Sequence, residues 1–244
     1  MPHVEGAGVA LHYVVRGEGP AALVVHAMGS DGAAWAAQLE QLAAGGMRAI
    51  AYDRRGYGSS GAPQPYAATT VQEQAQDAAA LLDALEAAPA LFVGDGFGAL
   101  VVLELLVRRP ELARGAVLVD PPLHAFVPEA TKALADEREL LEAALRDGGP
   151  RAAVTAWLGP DADPAQAARA AESHVGFFAD YAGQASWSPS RRELRALGMP
   201  IVVVTGPRTS RHVVAAADAV AALVPGARRA SDGAVVAAAL ALAA

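Results

Sequence analysis

A short run of glycines between two apolar segments is the part of the sequence best suited to carry chemistry. Residues 94–98, with the sequence GDGFG, follow the apolar segment 90–93. The spacing small-x-apex-x-small is typical of a sharp strand-to-helix turn, where a strained backbone lets only small neighbours approach. The apex of such a turn usually presents a nucleophile for acyl transfer. Here the apex is Gly96, because choosing Asp95 would put Phe97 where a small residue is needed.

The elements that would position this turn alternate between strand and helix. Apolar or alternating segments predict strands over residues 9–16, 22–26, 48–52, 91–93, 116–120 and 201–205, and periodic segments predict helices over residues 30–45, 71–85 and 98–108. The alternation predicts a mostly parallel, doubly wound sheet. The turn at residues 17–20 predicts that the first two strands pair as a hairpin.

The strand signal lapses between residues 121 and 199. Amphipathic helices are predicted there near residues 129–145, 151–158 and 164–181. We therefore expect a helical cap, residues 121–199, inserted into a core formed by residues 1–120 and 200–244.

Composition narrows the classes of function. The chain has 244 residues and is 53% hydrophobic, but the apolar residues are divided among short segments, so no membrane partner is expected. The formal net charge is −7 and the arginines are scattered, which argues against nucleic acid. With no cysteine and no secretion signal at the start, the sequence predicts a cytoplasmic protein with a small-molecule partner and no metal or cofactor.

Several linked motifs follow one another in the order of a known family. They are a hairpin at residues 11–20, the HAMG turn at 26–29 with Trp35, the DRRGYGSS loop at 53–60, the glycine turn, and VLVDP at 117–121. In these motifs the chain resembles the α/β-hydrolase superfamily over nearly its whole length. The resemblance implies an α/β-hydrolase fold with an inserted helical cap.

The resemblance also implies where a Ser-His-Asp triad would lie, and all three positions are substituted. Gly96 stands at the nucleophile position, Thr209 at the acid position and Ala234 at the histidine position. Asp120, after the preceding core strand, is an alternative acid. A serine nucleophile needs a base within hydrogen-bond reach, so losing both argues against ordinary ester hydrolysis.

An oxyanion site survives the loss of side chains, because in this family backbone N–H groups form it. The resemblance places Met28 and Phe97 at those two positions. Asp95, Asp120 and His124 are the candidate acid-base residues. Asp95 is either a buried base or a partner of the neighbouring backbone, and Asp120 and His124 are either an acid-base pair or a turn cap and a solvated imidazole.

The remaining candidate substrate-binding residues each have a structural alternative. His26 belongs to the loop that shapes the oxyanion site and is expected to pack beneath it. His212 is expected to reach the cleft or to begin a surface helix. Phe178 belongs to a helical stripe that forms a substrate lid or holds the cap down.

Two classes of function remain open at this point. The first is a non-hydrolytic enzyme, such as a cyclase, lyase or isomerase acting on an oxygenated small molecule in specialised metabolism. The second is a catalytically inactive protein that binds a small molecule or a protein partner. Hydrolysis through an unconventional site is a third hypothesis, because the fold is associated with hydrolases.

Overall fold

A computed structural model describes residues 2–231 and 234–243 and has one eight-stranded sheet at its centre. The strands are β1 (His3–Glu5), β2 (Ala10–Arg16), β3 (Ala21–Val25), β4 (Arg48–Tyr52), β5 (Ala90–Asp95), β6 (Ala113–Val119), β7 (Ile201–Thr205) and β8 (Arg228–Ser231). Their spatial order is β1-β2-β4-β3-β5-β6-β7-β8, and β3 to β8 run parallel. The predicted mostly parallel sheet is confirmed.

The helices either pack on the two faces of this sheet or lie in the segment between β6 and β7. They are α1 (Ala36–Ala44), α2 (Val71–Ala84), α3 (Phe97–Arg108), α4 (Ala130–Leu158), α5 (Pro164–Glu172), α6 (His174–Ser186), α7 (Arg191–Arg195), α8 (Arg211–Leu223) and α9 (Val235–Ala243). Alternate residues of β3 pack on opposite faces. Leu23 lies in the same apolar cluster as residues of α2, α3 and α8, whereas Val24 packs with residues of α1 and α9. Burial on both faces explains why the central strands are continuously apolar.

The predicted hairpin between the first two strands is wrong. β2 pairs antiparallel with β1 and β4, and β3 lies beyond β4, paired in parallel with β4 and β5. All five residues of β3 are buried, whereas most of β2 is partly exposed. A wholly buried apolar strand is suited to the middle of a parallel sheet, and the amphipathic β2 is suited to a place nearer its edge.

Between β6 and β7 the described regular elements are all helices. Helix α4 is interrupted at Gly149, which has a non-helical φ of 77° and is followed by Pro150. The two helical stretches on either side lie close to the helices predicted over residues 129–145 and 151–158. The single helix expected over residues 164–181 is divided, because Ser173 ends α5 before α6 begins. Helix α7 was not predicted. The division of the chain into a core and a cap stays a prediction.

The helices of residues 2–231 and 234–243 were compared with what a membrane-spanning helix requires. None of them combines the length and the apolar character that crossing a bilayer requires.

Candidate active site

The glycine turn lies between β5 and α3, at the carboxyl edge of the sheet. Gly96 has φ 53° and ψ −119°, a conformation that side-chain-bearing residues rarely adopt. A Cβ at Gly94 would lie 2.7 Å from the Ala99 Cα, and one at Gly98 would lie 2.1 Å from the Val25 carbonyl oxygen. Glycines are therefore needed on both sides of the apex, as the spacing predicts. Among the described residues, a Cβ at Gly96 itself would meet only Ala27, at 3.1 Å, so these residues leave space above the apex.

A cavity of about 350 Å³ lies above this turn. The sheet edge contributes Met28, Asp95, Gly96, Phe97, Asp120 and Thr209 to its lining. These residues follow the ends of β3, β5, β6 and β7, which is where ligands bind in open parallel sheets. The helical side contributes His124, Glu137, Trp157, Gln184 and His212. The structure thus brings six of the predicted binding or catalytic residues to one cavity, namely Met28, Asp95, Phe97, Asp120, His124 and His212.

Two backbone amides at the base of the site have no hydrogen-bond acceptor among the described residues. The amides of Met28 and Phe97 make no hydrogen bond within residues 2–231 and 234–243. Phe97 begins α3, where the first amides have no partner inside the helix and the helix dipole favours negative charge. These amides are available to a carbonyl or enolate oxygen of a ligand.

Asp95 is the most perturbed acid of the cavity. Its carboxylate accepts no hydrogen bond from any described residue, so the predicted contact with neighbouring backbone is not seen. Burial and, to a lesser extent, the negative charge of Asp120 together raise the pKa of Asp95 to about 7, against the opposing effect of Arg54. A carboxylate with a pKa near neutrality is a suitable general base.

Asp120 is held in place by a neighbouring hydroxyl. It accepts a hydrogen bond of 2.7 Å from the Oγ1 of Thr209, which in turn accepts one of 2.8 Å from the amide of Gly206. Its φ is 45°, an uncommon value for a residue other than glycine, and such strain is concentrated at functional sites. Thr209, at the predicted acid position, therefore orients another acid.

His124 contacts an imidazole rather than a carboxylate. The ring centroids of His124 and His212 are 5.2 Å apart, and the Nε2 of His124 is buried with no hydrogen-bond partner among the described residues. Burial and, to a lesser extent, the charge of His212 together lower the pKa of His124 to about 4. Of the two alternatives left open by the sequence, a direct Asp120–His124 pair is not seen among the described residues, where Asp120 accepts from Thr209 instead. His124 is neutral at pH 7.

Glu137 is the functional candidate that sequence reasoning missed. Glu137 lies on α4 and lines the cavity. Burial raises the pKa of its carboxyl group, and hydrogen bonds from the Trp157 and Tyr181 side chains lower it in part. In the sequence it is one acid in a strongly charged helix, and no local signal separates it from its exposed neighbours. Only the packing of α4 over the turn identifies it.

Three predicted residues lie away from the described lining of the cavity. The Nε2 of His26 accepts from the Arg54 amide at 3.0 Å, and its Nδ1 lies 2.8 Å from the Ala27 carbonyl oxygen, so the ring supports the loop from beneath. Phe178 packs against Phe177, with ring centroids 5.3 Å apart. Ala234 directly precedes α9, and its predicted turn includes residues 232–233, which lie outside the described residues.

A second set of buried polar residues lies against the loop that carries His26 and Met28. We name it the Arg54 cluster, and it consists of Arg54, Tyr57, Gln74 and Asp180. The Arg54 guanidinium donates to Asp180 at 2.7 Å and to Gln74 at 2.5 Å, and Asp180 also accepts from the Tyr57 hydroxyl at 2.7 Å. Arg54 further donates to the His26 carbonyl oxygen and lies 4.9 Å from the centre of the Phe97 ring. The cluster thus connects Asp180 of α6 to the loop that carries Met28 and to Phe97 at the start of α3.

Comparison with known proteins assigns the class. Residues 22–241 match the model of the alpha/beta hydrolase family, and the chain belongs to that family. It is 35% identical over 214 residues to a putative carbamate hydrolase RutD of Variovorax paradoxus, which covers 85% of this chain and 77% of the relative. A structure of an alpha/beta hydrolase from Sphaerobacter thermophilus superposes over 100% of both chains with a TM-score of 0.77 at 23% identity.

Other relatives match only part of their length. An epoxide hydrolase of Caballeronia sordidicola is 38% identical over 104 residues, which is 43% of this chain and 32% of the relative. The chain thus spans about a third of that protein. The family and its fold are established by these similarities.

Proposed function

We propose that this protein is a non-hydrolytic member of its family that works without a Ser-His-Asp triad and removes a proton next to the carbonyl group of a small oxygenated molecule. Lyases, isomerases and cyclases share this step. The observation that carries the proposal is the Asp95 carboxylate, which has no partner among the described residues, has a pKa of about 7 and lines the cavity beside the apex Gly96.

The residues at the expected triad positions support a route without a covalent intermediate. Gly96 has no side-chain atom to attack a substrate. The Thr209 hydroxyl donates to Asp120, and Ala234 carries no titratable group. A base and an oxyanion site are what proton abstraction requires, and both are available without a nucleophile.

The chemistry follows from the placement of these groups. Asp95 takes the proton as the carbon–hydrogen bond breaks, and the electron pair moves onto the carbonyl oxygen. The amides of Met28 and Phe97 stabilise the resulting enolate oxygen. The proton on Asp95 then returns to the same carbon, to another carbon, or to a leaving group, which distinguishes exchange, isomerisation and elimination.

Hydrogen–deuterium exchange of a simple ketone tests this step directly. Butan-2-one is incubated with the protein in D₂O and followed by NMR, and we expect exchange next to the carbonyl that depends on the protein. Asp95→Asn is expected to lower the rate by about a hundredfold or more. Asp83→Asn, on the exposed surface of α2, is the matched control. Exchange at wild-type rate in Asp95→Asn would refute the assignment of the base.

A second candidate function is hydrolysis by a water molecule that Asp95 activates. The names of the relatives, a putative carbamate hydrolase and an epoxide hydrolase, favour it. Turnover of p-nitrophenyl acetate that saturates and is lost in Asp95→Asn would support this candidate. Binding of a ketone with neither exchange nor ester turnover would instead support a ligand-binding protein without catalytic activity.

A further inference from the structure

A second, larger cavity adjoins the one above the glycine turn. Its volume is about 680 Å³, and the two cavities share four lining residues: Pro122, His124, Glu137 and Gln184. It continues away from the turn between α4 and α6. A ligand in the first cavity therefore has a route along which a longer part of the molecule can extend.

The walls of the second cavity change in character along its length. Its inner part contains Leu100, Leu123 and Trp187, all buried. Its outer part is framed by exposed small residues on facing helices, Ala135 of α4 and Ala182 of α6. Arg138, Tyr181 and Ser188 also line this cavity, and the Arg138 guanidinium is paired with Glu142 at the surface. Small residues there keep the space between the helices open, and the apolar inner wall favours an apolar occupant.

The wall that the two cavities share is polar. Glu137, His124 and Gln184 all contribute to it, and the Nε2 of His124 has no partner among the described residues. The Glu137 carboxylate accepts from Trp157 and Tyr181 and has acceptor positions left over. A purely hydrocarbon ligand crossing this point would leave those positions and the Nε2 of His124 without hydrogen bonds, which is costly in a buried site. A hydrogen-bond donor on the ligand would remove that cost.

We propose that the substrate is an elongated carbonyl compound whose carbonyl group binds at the glycine turn, whose hydroxyl or N–H group donates to Glu137, and whose apolar chain or ring system lies between α4 and α6. This inference rests on the proposed function for the position of the carbonyl group. It adds the class of substrate: an amphiphilic ketone or similar compound of the size that such cavities enclose.

Affinity across a series of ketones tests the apolar part. Calorimetry of butan-2-one to undecan-2-one with the whole protein should show dissociation constants that fall about threefold to fourfold per added methylene until the second cavity is filled. Ala182→Trp fills that cavity and should abolish the dependence on chain length. Ala168→Trp, an equally exposed site on α5 that lines neither cavity, is the matched control and should retain it. Thermal unfolding of each variant confirms that it is folded.

Hydroxylated ketones test the donor. A panel of nonan-2-ones that carry one hydroxyl at successive carbons should include a member that binds about tenfold more tightly than the parent ketone. Glu137→Leu should remove this advantage while the dependence on chain length remains. An advantage that survives in Glu137→Leu, or no advantage at any carbon, overturns the role of Glu137.

The failure of this inference is distinguishable from the failure of the proposed function. Proton exchange in butan-2-one without any effect of chain length on affinity would overturn the second cavity as a binding site and leave the catalytic proposal standing. Affinity that rises with chain length in a protein that catalyses no exchange would overturn the catalytic proposal and leave the second cavity standing as a binding site. An equal effect of chain length in Ala182→Trp and Ala168→Trp would also overturn the inference.

Discussion

The Arg54 cluster and the cavity residues are both buried polar groups, yet they differ in how far their hydrogen bonds are satisfied. Asp180 accepts from Arg54, Tyr57 and Gln74, and the guanidinium also binds a backbone carbonyl. In the cavity, by contrast, the Asp95 carboxylate and the Nε2 of His124 have no hydrogen-bond partner among the described residues. A satisfied buried network fixes structure, whereas an unsatisfied one has capacity left for a ligand.

The pKa values follow the same division. In the Arg54 cluster burial lowers the pKa of Arg54, but the Asp180 charge and hydrogen bond raise it by more, so the guanidinium stays charged at every ordinary pH. In the cavity burial dominates, and it moves the pKa of Asp95 up and that of His124 down. Asp95 is thereby brought close to a protonation change at neutral pH, which suits it to proton transfer, whereas His124 stays uncharged there.

Removing one partner from the Arg54 cluster should have the largest effect on stability. Asp180→Ala leaves the Arg54 charge buried and unpaired, and we expect the free energy of unfolding to fall by about 3–5 kcal/mol. Urea titration followed by tryptophan fluorescence measures this. Asp136→Ala, which breaks the exposed pair with Lys132, is the control and should be indistinguishable from wild type. A small effect of Asp180→Ala would mean that the cluster is less well satisfied than its geometry indicates.

Sequence reasoning reached the fold and the turn, but it reached only part of the polar environment. The glycine spacing around Gly96 and the apolar strands are local signals, so the turn and the parallel sheet follow from them. The Arg54–Asp180 pair joins residues 126 positions apart, and no local pattern indicates it. The pairing of β2 with β4 and the place of Glu137 likewise depend on packing between distant segments.

Adding a side chain at the apex tests whether the cavity lacks only a nucleophile. Gly96→Ser should fold with a loss of about 1–3 kcal/mol, because φ 53° is strained for serine while the space above the apex is open. It should not create an efficient esterase, since no base stands at the Ala234 position to activate the hydroxyl. Gly96→Ala imposes the same strain without a hydroxyl and is the control.

Turnover of p-nitrophenyl acetate by Gly96→Ser and Gly96→Ala gives the measurement. Similar negligible rates are expected for both variants and for wild type. Efficient hydrolysis by Gly96→Ser alone would mean that another imidazole already acts as the base, and His124 and His212 are the ones within the cavity. The cavity would then need less than a full triad to become hydrolytic.

Removing the Asp95 charge should stabilise the protein, in contrast to Asp180→Ala. The folded-state pKa of Asp95, about 7, exceeds its ordinary value of 3.8, so between these values the folded chain keeps a proton that the unfolded chain has lost. Wild-type stability therefore falls as the pH rises from about 4 to about 7. Asp95→Asn avoids that loss and should be more stable by about 1–2 kcal/mol at pH 8, a value reduced because the carboxylate keeps some exposure to the cavity.

Urea titrations of wild type and Asp95→Asn at pH 4 and pH 8 measure this difference. The advantage of the variant should be small at pH 4 and full at pH 8. An advantage that does not change with pH would show that the Asp95 carboxylate is better solvated or better partnered than the cavity indicates. Of the two cavity groups, only His124 would then still differ from the Arg54 cluster in having an unsatisfied hydrogen-bonding atom.

His124 gives the smallest effect and the opposite dependence on pH. Its folded-state pKa of about 4 lies below the ordinary 6.5, so as the pH falls from 6.5 towards 4 the unfolded chain takes up a proton before the folded chain does. Wild type therefore loses stability over this range, and His124→Asn should gain about 1 kcal/mol relative to it between pH 7 and pH 5. Unfolding of both proteins at those two pH values measures the change. His212 and Glu137 also face the cavity and are present in both proteins, so the difference between the two proteins reports the imidazole of His124 together with its electrostatic coupling to His212. If the difference is the same at pH 7 and pH 5, the His124 ring is solvated in the folded protein and does not share the unsatisfied character of Asp95.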